Sequence, residues 1–137
     1  MKKLLLLVMI LLTACQVEPS LEQNENKSIE KVKLVQAITK AASQIERSES
    51  IKVASASLSR KELLITLELL VTNSLPKEDV EILLLQFENR IYDNLRKEKF
   101  DEGLLNVFDL EVTVRQANKG VLLHGIKPKQ QHLINWK

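Results

Sequence analysis

The stretch Glu62-Leu-Leu-Ile-Thr-Leu-Glu-Leu-Leu-Val-Thr72 decides the fold. Read with a period of two, Leu63, Ile65, Leu67, Leu69 and Val71 share one side, and Leu64, Thr66, Glu68, Leu70 and Thr72 share the other. Successive strand residues point to opposite faces, so the stretch predicts a strand with one wholly apolar face and one mixed face. On its N-terminal side, Ile51–Leu58 is a second short strand of small and β-branched residues. The polar Ser59-Arg60-Lys61 link is short enough to make the pair an antiparallel hairpin.

On its C-terminal side, Asn73-Ser74-Leu75-Pro76 ends the strand and opens a helix, because Pro in a first turn forfeits no intrahelical hydrogen bond. Val80, Leu83, Leu84, Phe87, Ile91 and Leu95 recur at helical spacing and define its buried stripe. Glu78, Asp79 and Glu81 lie at the positive end of the helix dipole, and Arg96, Lys97 and Lys99 at the negative end. Gly103 marks the exit. Val107–Gln116 alternates again, with Phe108, Leu110, Val112 and Val114 opposed to Asp109, Glu111, Thr113 and Arg115. Asn118-Lys119-Gly120 is a turn signal, and Val121–Ile126 is a final edge strand.

Ahead of the hairpin, Ser28 serves as the N-cap of a first helix reaching about Arg47. Its stripe is Leu34, Val35, Ile38, Ala41, Ala42 and Ile45. Matching apolar helix stripes to apolar strand faces gives an α+β two-layer sandwich. Two helices pack on one face of a three- or four-stranded mixed sheet, in the order α-β-β-α-β-(β). The domain spans 28–127, and 128–137 is a basic tail without a clear period. This order loosely resembles two envelope-associated interaction units, the BON domain and the ring-building motif of secretion and sporulation assemblies. The likeness is one of topology, the first two strands here lack the glycines of BON domains, and no residue role is carried over.

The N-terminus has a different character. Lys2 and Lys3 precede the unbroken apolar run Leu4–Leu12, which as a helix would be about 14 Å long, well short of the ~30 Å of a hydrocarbon core. The run therefore reads as the apolar region of a signal peptide. Leu12-Thr13-Ala14-Cys15 follows, and it resembles the lipobox of bacterial lipoproteins: an apolar residue, a small residue, Ala or Gly, and Cys. The resemblance covers the first fifteen residues. It implies that residues 1–14 are removed by cleavage after Ala14 and that Cys15 carries acyl chains such as palmitate. Cys15 is also the sole cysteine, so no intramolecular disulfide competes for it. Residues 15–27 form the lipidated Cys and a polar tether of at most ~40 Å. Location follows from this: exported, on the outer side of the cytoplasmic membrane, or in the outer membrane where a cell has one.

Charge excludes one class of partner. Losing Lys2 and Lys3 takes the 20 Lys and Arg to 18, level with the 18 Asp and Glu. The mature chain has no net cationic field with which to displace counterions from nucleic acid.

The sequence offers little chemistry. Its two histidines, His124 and His132, are separated by Pro128, and no acidic residue follows Glu111, so no metal site is expected. No Ser has the flanking glycines of a nucleophile elbow, and the three glycines are too scattered for a phosphate loop or a nucleotide cofactor. Asp109 and Glu111, about 7 Å apart on one strand face and beside Glu68, are the only carboxylates arranged for acid–base work. The mixed sheet face, with Thr66, Glu68, Asp109, Glu111, Thr113 and Arg115, is the expected interaction surface. Lys129, Trp136 and Lys137 in the tail are the expected membrane contact. These features describe a non-enzymatic envelope lipoprotein that binds a protein partner or itself. An envelope enzyme using the carboxylates, and a small-ligand carrier using the groove between helices and sheet, stay open as alternatives.

Overall fold

The computed structural model describes residues 20–137, with side chains from Lys27 onward apart from that of Glu102. Ala14 and Cys15 lie outside the described residues. Lys31–Lys137 form one compact unit, which holds all the packing below.

Helix α1 spans Ser20–Ile45 and so begins eight residues before Ser28. Residues 20–27 contain neither Gly nor Pro, and several of them, Leu21, Glu22, Gln23 and Glu25 among them, are straight-chain residues that lose little rotamer freedom in a helix. The part of the expected tether after Pro19 is therefore helical. Leu34, Ala37, Ile38, Ala41, Ala42 and Ile45 are buried, whereas Val35 is 39% exposed. Val35 lies about 100° around the helix from Leu34, beyond the edge of the stripe, and Ala37 takes the place assigned to it.

Strands β1 (Ile51–Ser59) and β2 (Leu64–Val71) form the expected hairpin. Helix α2 (Lys77–Lys97) then crosses to β3 (Asp109–Gln116), which pairs parallel with β2. β4 (Gly120–Lys127) returns antiparallel through the turn in which Asn118 and Gly120 adopt positive φ. A two-residue strand, β5 (Asn135–Trp136), pairs antiparallel with β4. The mixed sheet thus has five strands, in the order β1-β2-β3-β4-β5, one more than the upper expectation. The added strand comes from the supposedly aperiodic tail.

The fold class is α+β, with two α-helices and one mixed sheet among the described residues. Ile65, Leu67, Leu69 and Val71 of β2 and Leu110, Val112 and Val114 of β3 are buried, together with the stripe of α2, including Phe87 and Ile91. Asn94 is the polar exception: its side-chain amide donates to the carbonyl of Ala37 at 3.2 Å and to Gln44 Oε1 at 3.2 Å, fastening α2 to α1. The exit of α2 does not use Gly103. Lys99 adopts φ 58° there, and the Phe100 N–H closes on the Leu95 carbonyl at 3.0 Å. Gly103 instead opens a 3-10 turn at Glu102–Val107, its N–H held by Asp101 Oδ1 at 2.8 Å.

At the β1 edge, a register shift between Ile51 and Val53 interrupts the ladder, and Glu46 accepts the outward N–H of Ala54 at 3.2 Å. Both devices blunt an edge that could otherwise recruit another strand.

Candidate functional site

With the apolar strand faces turned to the helices, the opposite face of the sheet has no helix over it among the described residues. The register places every residue of the expected interaction face on it. Leu64 lies opposite Asp109, Thr66 opposite Glu111, Glu68 opposite Thr113 and Leu70 opposite Arg115. β1 adds Ser57 beside Thr66 and Ser55 beside Glu68, and β4 adds His124 beside Thr113 and Ile126 beside Glu111.

Glu111 is the centre of this face. One carboxylate oxygen accepts the Thr66 hydroxyl at 3.1 Å, and the other lies 2.8 Å from His124 Nε2. The side chains of His124 and Glu111 are 29% and 23% exposed, so the pair is partly shielded from water. The His124 hydrogen bond is the main reason the Glu111 carboxyl is held below the usual carboxylate range. Burial opposes it, while Thr66 and the charges of His124 and Lys137 add to it.

The remaining members are unequal. Asp109 Oδ1 accepts the Lys129 N–H at 2.7 Å, so this carboxylate ties down the chain that leaves β4. Thr113, expected on a wet face, is buried between its cross-strand neighbours Glu68 and His124. Glu68 and Arg115 are exposed and have no ion-pair partner among the described residues. The chain matches no family model, no curated protein and no solved structure among those with which it was compared. The site is therefore read from its own geometry.

His124 was missed as a member of the site. It is thirteen residues from Glu111, and only the β3–β4 register joins them. The two histidines stay apart, and among the described residues no three His, Cys, Asp or Glu side chains converge on a metal position. Both oxygens of Glu111 and one oxygen of Asp109 accept hydrogen bonds, whereas Glu68 is exposed and has no ion-pair partner among the described residues. No helix among the described residues is long and apolar enough to cross a membrane.

The expected membrane contacts fall on different surfaces. Trp136 is half-buried on the helix side, its indole N–H donating to Glu81 at 3.1 Å and Lys77 Nζ standing 5.7 Å from its ring centre. Lys129 is exposed at the turn after β4. Lys137 donates its N–H to the His124 carbonyl at 2.9 Å and contributes its charge near Glu111.

The Glu111 arrangement has a pH signature. Its carboxyl ionises below its unfolded value of ~4.3, so below that pH the unfolded chain binds the extra proton. The contribution is fully present above the unfolded value and is lost as pH falls through the folded one. Urea midpoints measured from pH 6 to pH 3 should fall more shallowly for Glu111→Gln than for the native chain. At neutral pH the variant should be less stable by about 1 kcal/mol, through loss of a charged hydrogen bond. Parallel acid limbs would show that the pair does not couple to folding.

Proposed function

We propose that this protein is a membrane-anchored envelope lipoprotein, exported and held by acyl chains on Cys15, whose open sheet face pairs with the same face of a second copy. The reading is non-enzymatic, with no cofactor and no nucleic acid. The observation that carries it is the opposite charge, unpaired among the described residues, on Glu68 at the middle and Arg115 toward one end of an uncovered face. They sit on adjacent parallel strands two positions out of register, about 8 Å apart by strand spacing and rise. A two-fold axis lying between two stacked faces, midway between these residues, sets Glu68 of each copy on Arg115 of the other.

Size supports the same occupant. Four full strands about 4.8 Å apart and eight residues long at about 3.3 Å per residue present about 500 Å². Two copies would together cover about 1,000 Å², the lower range for a specific interface. Leu64, Leu70 and Ile126, all partly exposed, supply apolar contact around the charges. Anchoring both copies in one membrane raises their local concentration, so a modest interface suffices.

A charge exchange tests this. In mild-detergent micelles the full chain should sediment as a concentration-dependent dimer. Glu68→Arg or Arg115→Glu alone should weaken dimerisation at least tenfold, by like-charge contact, and the two together should restore it to within about threefold. A monomer at every concentration, or a double variant as weak as the singles, would overturn the pairing.

A further inference from the structure

A second surface lies on the helix side, away from the open sheet face. Between α2 and the chain from Lys127 to Ile134 there is a pocket of about 420 Å³, and it adjoins another of about 280 Å³. The larger volume is in the range of small-ligand sites. Leu84 and Ile134 line the larger pocket, and Ile82 and Leu85, 55% and 56% exposed, stand at it as large apolar side chains open to water. On the same wall are Glu78 and Glu81.

Charge identifies what would fit. Glu88 and Lys127, where the two pockets meet, are paired with one another and nearly buried. Among the described residues Glu78 has no partner, and Glu81 accepts only the neutral indole N–H of Trp136. Lys77, the nearby cation, stands over the Trp136 ring and is not part of the lining. What remains is an apolar hollow with two carboxylates that form no ion pair among the described residues. His132, the other titratable group of the lining, stands on the tail side.

We infer that this pocket binds a small cationic amphiphile, an aliphatic body carrying one ammonium group. The aliphatic part covers Ile82, Leu85 and Ile134, where removing apolar area from water is favourable. The ammonium lies against Glu78 and Glu81, where charge-assisted hydrogen bonds are stronger than neutral ones. An anionic or neutral counterpart of the same length would lose that contact and leave the carboxylates unpaired. The site is independent of the sheet-face pairing, since neither Glu68 nor Arg115 lines it.

Trp136 supplies the reporter, being the only tryptophan and bonded to Glu81. With the full chain in phosphatidylcholine vesicles, hexylammonium should shift Trp136 emission in a saturable way. Hexanoate and hexanol should bind at least tenfold more weakly. Glu78→Gln and Ile82→Asn, both at exposed positions and compatible with folding, should each weaken hexylammonium binding at least fivefold. Equal binding of all three compounds, a non-saturating response, or unchanged affinity in both variants would overturn the assignment.

Discussion

Cys15→Ser is expected to abolish acyl labelling of the protein completely and to leave a precursor that keeps residues 1–14. The argument rests on the chemistry of Leu12-Thr13-Ala14-Cys15. In a lipoprotein the thiolate forms a thioether with a diacylglycerol group before the bond after Ala14 is cut, and Ser offers no equivalent nucleophile at neutral pH. The loss is large because each buried CH₂ contributes about 0.8 kcal/mol and two or three chains act together. The retained Leu4–Leu12 run, too short to span, cannot replace them. Mass spectrometry of the N-terminus and metabolic labelling with a fatty acid read both outcomes. Persistent label on the Ser variant, or a mature N-terminus at residue 15 without label in the native chain, would refute lipid anchoring.

The proposed anchor also bears on the proposed pairing of sheet faces. A pair that buries about 1,000 Å² is near the lower size limit for specific association in free solution. The unlipidated chain should therefore dimerise only at higher concentration, while the anchored chain gains from confinement to a surface.

What the residues reveal without coordinates depends on whether their partners are local. The alternation of Glu62–Thr72 and of Phe108–Arg115 placed Thr66, Glu68, Asp109, Glu111, Thr113 and Arg115 on one face, and the register bears this out. Helix α2 was legible because its stripe, its dipole-matched ends and Pro76 all agree. The closing strand was not. β5 has only two residues, too few for a period, and its position is set by Gly125, 11 residues upstream of Trp136. The Glu111–His124 pair was hidden for the same reason, since β-sheet partners are fixed by register. The 3-10 turn at Glu102–Val107 and the exit of α2 escaped because Lys99 occupies a positive φ that usually signals Gly.

Gly125→Val is expected to detach the C-terminal strand while leaving the rest of the domain folded. A Cβ at this position would lie 2.5 Å from Ile134 Cγ2 and 2.8 Å from Trp136 Cε3, inside van der Waals contact. One side must move, and a two-residue strand at the chain end yields more easily than the centre of β4. Its departure removes the β4–β5 ladder, the Trp136–Glu81 bond and the Lys137–His124 bond. The stability cost should be about 1–3 kcal/mol, as for overpacking elsewhere. Trp136 emission should move to longer wavelength as the ring enters water. Ile134 forms part of the pocket wall, so hexylammonium binding should fall at least tenfold. Dimerisation should be unchanged within about twofold, because Glu68 and Arg115 lie on β2 and β3. Native Trp136 emission together with native hexylammonium affinity would show that the tail does not close the pocket. Loss of dimerisation alongside loss of binding would show that the two surfaces are not independent.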